Sequence, residues 1–217
     1  MSIFSQYQSR YEKTREEVYT IQEYLEICKS DPSAYATAAE RLLMAIEDPE
    51  LVDTRMDARL SRIFSNKMIK KYPAFEEFYG MEEAIEQIVS YLKHAAQGLE
   101  EKKQILYLLG PVGGGKSSLA ERLKALMEQV PFYAIQGSPV FESPLGLFSP
   151  DEDGPILEED YGIPRRYLKN IMSPWAVKRL HELNGDITQF KVIKVHPSIL
   201  NQIAIAKTEP GDENNQD

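Results

Sequence analysis

The chain has 217 residues and carries 25 Lys and Arg against 34 Asp and Glu, a formal net charge of −9. That balance argues against broad electrostatic binding to nucleic acid or to an anionic membrane. A hydrophobic share of 42% and a charged share of 27% suit a soluble globular protein of one or two domains with a sizeable core. Cys28 is the single cysteine, which excludes an intramolecular disulfide and a cysteine zinc cluster. No apolar signal run opens the chain and no apolar stretch is long enough to span a bilayer, so a cytoplasmic protein without membrane contact is expected.

In chain order, residues 1–72 are expected to form a helical N-terminal region. The charges of residues 1–17 fit a solvated helix face or a partner-binding helix. Thr20-Ile-Gln-Glu23 is a capping box, followed by Ile21, Tyr24, Leu25 and Cys28 on one apolar face. Asp31-Pro32 announces a second helix running through Ala34 to Ile46. Residues 59–72 are basic and partly apolar, and Pro73 places a domain junction beside it, with residues 73–217 as the second domain. A long amphipathic helix is predicted from Met81 to about Gln97, buried through Ile85, Ile88, Val89 and Leu92 and closed by Gly98. On it, His94 lacks a ligand partner at metal spacing and is assigned a structural role.

The stretch from Leu106 to Ser118 carries the chemistry. Gly110, four residues, then Gly115-Lys116-Ser117 complete the G-x-x-x-x-G-K-[ST] pattern. Gln104 to Leu109 reads as a buried parallel strand, and Leu119, Leu123 and Leu126 recur at helical spacing after the motif. In Gly110-Pro111-Val112-Gly113-Gly114-Gly115, the four glycines allow backbone conformations closed to residues with a Cβ, so that consecutive N–H groups can turn around phosphate oxygens. The following helix adds its free amides. Lys116 is placed to reach the β- and γ-phosphates of a nucleoside triphosphate and Ser117 to hold Mg²⁺, with Ser118 closing the binding stretch.

Further on, Pro131 to Ile135 is a second strand and residues 136–160 form a long loop. Arg165 and Arg166 suit phosphate, an acidic partner or surface salt bridges equally. Ser173-Pro174 starts a helix that stops near Asn184-Gly185, with Trp175 and His181 on its packed face. Phe190 to Val195 alternates as a strand, Ser198 to Ala206 is a short helix, and a polar tail follows.

Tyr79-Gly80 followed by a helix, a strand and the phosphate loop resembles the opening of an AAA+ ATPase module. The resemblance narrows to the PrkA family of bacterial AAA+ proteins described as serine protein kinases. It rests on Tyr72 to Ala96, Gly110 to Ser118, Tyr161 to Leu168, Met172 to Trp175 and Ala204 to Gly211. It implies a P-loop (AAA+) α/β module with a five-stranded parallel core, in which the Tyr79-Gly80 turn lies against adenine. It also implies ring assembly and work on, or phosphorylation of, a protein partner.

Only three strands are foreseen here, and none ends in the acid that organises Mg²⁺ and water in a P-loop ATPase. Ile135 precedes Gln136, Val195 precedes His196, and Ile156-Leu-Glu-Glu-Asp160 has too few apolar residues for a strand. In the family the acidic strand, sensor and arginine finger lie further along the chain. The expectation is therefore an N-terminal portion that binds Mg-ATP and hydrolyses it poorly, with no catalytic residue assignable. Neither a catalytic-loop His-Arg-Asp nor an Asp-Phe-Gly occurs, and no Ser-Lys or Ser-His-Asp set is recognisable. Protein kinase, remodelling or protease-linked ATPase, and non-enzymatic nucleotide-gated interaction module all stay open. A small-molecule P-loop kinase is disfavoured by the Tyr79-Gly80 helix.

Overall fold

In the computed structural model, residues 17–99, 103–111 and 113–197 are described. They fall into two units, Met1–Tyr35 with Pro131–Asp217, and Ala36–Val130. The expected helices at residues 1–17 and 198–206 lie largely or wholly outside the described residues.

In the first unit, strand β1 (Glu17–Thr20) leads directly into helix α1 (Ile21–Ser30). Thr20 and Glu23 close the expected capping box. Glu23 Oε2 accepts from the Thr20 N–H at 2.7 Å and its hydroxyl at 2.9 Å, while the Glu23 N–H donates to Thr20 Oγ1 at 3.1 Å. The backbone bond first, then the hydroxyl, holds the Glu23 carboxyl below its ordinary value. A carboxyl depressed on folding contributes stability above its unfolded pKa of about 4.3 and loses that contribution as pH falls through the lowered value. Glu23→Gln is therefore expected to melt below the parent at pH 6, with the gap closing toward pH 3. A gap independent of pH in thermal melts would contradict this.

Strand β5 (Lys191–Val195) is the centre of a three-stranded antiparallel sheet, flanked by β1 and β4 (Phe132–Ile135). Glu17 lies opposite Lys194, and Ile135 opposite Val192. Alternation gives β5 two buried faces. Val192 joins Ile21, Tyr24, Leu25 and Cys28 of α1 in the main core, whereas Ile193 and Val195 cluster with Ala134 on the other side. Each fully buried aliphatic chain contributes about 1.5–3 kcal/mol. Burial pushes the Cys28 thiol up to about 12, so it is packing rather than a nucleophile.

The segment expected to be a loop holds helix α6 (Gly154–Tyr161). Pro155 stands in its first turn and Gly162, at φ +67°, ends it. Arg165 donates through its backbone N–H and its guanidinium to Glu158, both at 3.0 Å, which settles that arginine as a surface salt bridge. The Arg166 guanidinium lies 4.8 Å from the Tyr167 ring centre. Helix α7 (Pro174–Glu182) is capped by Ser173. Trp175 packs against the main core as expected, but His181 is exposed, because α7 turns only Ala176 fully inward.

In the second unit the helix foreseen from Ala34 to Ile46 is broken. Residues Pro32–Tyr35 form a short 3₁₀ turn of the first unit, and helix α2 (Ala38–Ile46) begins afresh. The cause is a second capping box, Thr37 with Glu40, whose oxygens satisfy each other's backbone amides at a new helix start. An antiparallel pair unforeseen in the sequence follows, β2 (Glu50–Asp53) with β3 (Met68–Lys71), enclosing helix α3 (Ala58–Phe64). Buried Thr54 closes this excursion by donating its hydroxyl to the Lys67 carbonyl at 2.7 Å.

Helices α4 (Glu82–Ala96) and α5 (Lys116–Met127) occupy the expected places and share a core with α2. Ile85, Ile88, Val89 and Leu92 of α4 meet Leu119 and Leu126 of α5 there. Tyr72 and Phe75, on either side of Pro73, belong to the same core. His94 is exposed on α4.

The described sheets are all antiparallel, and the expected strand at residues 104–109 is not formed. Ile105, Tyr107 and Leu109 are 91%, 76% and 82% exposed, while Leu108 touches the core and Gln104 O accepts from the Tyr91 hydroxyl at 2.7 Å. A strand exists only by pairing, and this segment has no ladder partner among the described residues.

Candidate functional site

Glycines set the local geometry between the unpaired segment and α5. Gly113 and Gly115 adopt φ +80° and +74°, closed to most side chains. A Cβ on Gly115 would stand 3.1 Å from Met81 Sδ, so a side chain here would be strained by its φ and would also require Met81 to give by a few tenths of an ångström. Gly115 is the N-cap of α5 with no side-chain cap, and the first helical bond runs from the Leu119 N–H to Gly115 O at 2.9 Å. The amides of Lys116, Ser117 and Ser118 thus precede the helical ladder, at the positive end of a helix.

Lys116 folds back over its own loop. Its Nζ donates to Gly110 O at 2.7 Å and to Pro111 O at 2.5 Å. Both acceptors are exposed loop carbonyls, which an anion with more charge can replace as partners. Ser117 and Ser118 are exposed beside it.

An open cleft of about 1020 Å³ lies against this loop. Its walls include Gly113, Gly114, Gly115, Ser117 and Ser118 on one side and Phe78, Tyr79 and Met81 on the other. The structure therefore brings Tyr79 together with three of the loop's four glycines. Gly80 adjoins the wall at φ +78°, whereas Gly110, Pro111 and Lys116 do not line it. Val112 lies outside the described residues. Three charged residues of the cleft, Glu77, Glu121 and Arg122, escaped the sequence reading. Glu121 and Arg122 stand three and four positions after Ser118, so helical spacing was the signal that could have found them.

The donor set fits a phosphate chain, and its hydroxyls suit a hard cation already held by phosphate. Among the described residues no cluster of three or more His, Cys, Asp or Glu could hold a metal by itself. Strand β4 ends before Gln136 and β5 before His196, and the acids of residues 158–160 lie on α6 rather than at a strand end. No helix among the described residues is long and apolar enough to cross a membrane.

The chain is 70% identical, over its whole length, to serine/threonine kinase YeaG of Escherichia coli strain K12 and to that of Escherichia coli O157:H7, covering 34% of each relative. It is 34% identical, over 91% of its length, to ATP-dependent protease PrkA of Bacillus subtilis strain 168, covering 30% of that protein. It thus spans about a third of the length of these curated relatives. No solved structure matches it. The PrkA AAA domain model matches residues 19–217, and the chain belongs to the PrkA AAA domain family.

Proposed function

We propose that this chain is the ATP-binding part of a PrkA-type serine/threonine protein kinase or ATPase. The carrying observation is the glycine loop at the start of α5, with three amides ahead of the helical ladder opening on a cleft that extends to Tyr79. Gly110, Pro111, Val112, Gly113, Gly114 and Gly115 would wrap the phosphates, Lys116 would neutralise the terminal ones, and Ser118 would add a donor. Ser117 would hold Mg²⁺, which supplies charge neutralisation between phosphate oxygens. Tyr79 and Gly80 would lie against the base.

Turnover in this reading needs an acid supplied by the part of the relatives beyond this stretch. The same part would pair with residues 104–109, turning them into a strand of the parallel AAA+ core. Amide exchange at residues 105–109 is then expected to be about a hundredfold slower in a chain of the relatives' full length than in this one. Equal exchange in both would contradict the pairing.

The relatives bear names of different activities, a kinase and a protease. A remodelling or protease-linked ATPase is therefore the second reading for the full protein, and a nucleotide-gated interaction module the second reading for this stretch alone. Protein partners and ring assembly belong to the same proposal.

The test is Mg-ATP binding by calorimetry together with phosphate release by this chain. Binding without release is the expected result. Rapid release would reveal an acid among these residues, and no binding would overturn the reading.

A further inference from the structure

The turn before α4 is fastened to the phosphate-side helix at both of its ends. At the first end, Arg122 of α5 donates its Nε–H to the Ala74 carbonyl at 2.7 Å. The same guanidinium lies 3.9 Å from Glu77 Oε1 within that turn. At the second end, Met81 Sδ packs where a Gly115 side chain would stand. Between the anchors Phe78 meets Phe75 edge-on at 6.1 Å, Tyr79 is 82% exposed, and Gly80 turns the chain at φ +78°. The Met81 contact is apolar and adaptable. The Arg122 bond is charge-assisted, directional and aimed at the backbone, so it governs where the turn stands.

We infer that Arg122 is a positioning residue: by holding Ala74, it sets the Tyr79-Gly80 turn at the distance from the glycine loop at which a nucleoside, rather than bare polyphosphate, is recognised. The inference rests on the nucleotide reading above. Arg122 lines the same cleft, so the rival is direct contact of its guanidinium with phosphate. The two differ in what they predict for a ligand with no base.

The experiment compares Mg-ATP with Mg-tripolyphosphate by calorimetry, for the parent chain, Arg122→Gln and Arg122→Lys. The parent is expected to favour ATP. Arg122→Gln should bind ATP about tenfold more weakly and tripolyphosphate within about twofold of the parent. Arg122→Lys, which keeps a donor for Ala74 O, should recover much of the preference. In the Arg122→Gln background, Tyr79→Ala should cost far less than it costs the parent, because the ring is already misplaced. Equal losses for both ligands would establish the direct phosphate contact and overturn the inference. So would an unchanged preference, additive losses in the Tyr79 cycle, or a parent that does not favour ATP. A parent that binds neither ligand would overturn the nucleotide reading itself, a result distinct from all of these. Melting temperature separates a folding defect from the effect sought, since a misfolded variant loses tripolyphosphate as well.

Discussion

Lys116→Ala is expected to weaken Mg-ATP binding by about a hundredfold or more. The ammonium has three N–H donors, two of which rest on Gly110 O and Pro111 O. Those carbonyls are solvent-exposed, so releasing them leaves groups that water satisfies. A terminal phosphate offers full negative charge in their place, and alanine offers it nothing. The effect should appear with the fold intact, because the side chain contributes no core contact. Gly115→Ala is the companion variant. It forces a Cβ into a φ of +74° and against Met81 Sδ, and a loss of about tenfold is expected from the distorted loop. Lys116→Ala binding ATP within about threefold of the parent would place the nucleotide elsewhere.

Glu142→Ala is expected to cost about 3 kcal/mol of stability in the first unit. One carboxylate joins two stretches there. Oε1 accepts from the Ser173 hydroxyl at 2.8 Å and the Ser138 hydroxyl at 3.1 Å, and Oε2 accepts from the Ser173 N–H at 2.9 Å. Ser138 is 5% exposed, so its hydroxyl has little water to turn to. Ser173 also caps α7, accepting from the Ala176 N–H at 3.2 Å. Removing the carboxylate loosens that cap as well. Glu142→Gln keeps an acceptor oxygen and should lose about half as much. Trp175, the single tryptophan, sits in the first turn of α7 with its ring against Gly137, and so reports this unit in urea unfolding. A shift below about 0.5 kcal/mol in Glu142→Ala would show that the network is solvated and slack.

What could be read in the chain was local. The Thr20-Glu23 capping box, α4 from Ile85, Ile88, Val89 and Leu92, and α5 from its leucines all stand where the spacing put them. Each depends on neighbours within one or two helical turns. The glycine loop was legible for the same reason, since its chemistry is carried by consecutive residues. The second box at Thr37 and Glu40 was equally local and could have been found; the proline at position 32 drew the helix start too early. Arg165 was balanced between phosphate and a salt bridge until its partner Glu158, seven residues back, was in view.

Tertiary structure decided the rest. Strand β1 is four residues long and half exposed, and it is a strand only because β5, more than a hundred and seventy positions away, offers it a ladder. Residues 104–109 show the converse: an apolar run with every local mark of a strand stays unpaired, because a strand is completed by a neighbour that no local pattern encodes. The cleft has the same origin. Sequence alone determined the glycine loop and the helix behind it, Arg122 included, whereas packing of α4 on α5 placed Tyr79 and Met81 beside them. Bonds between neighbours along a chain are written in spacing, and bonds across a core exist only once burial has chosen which faces meet.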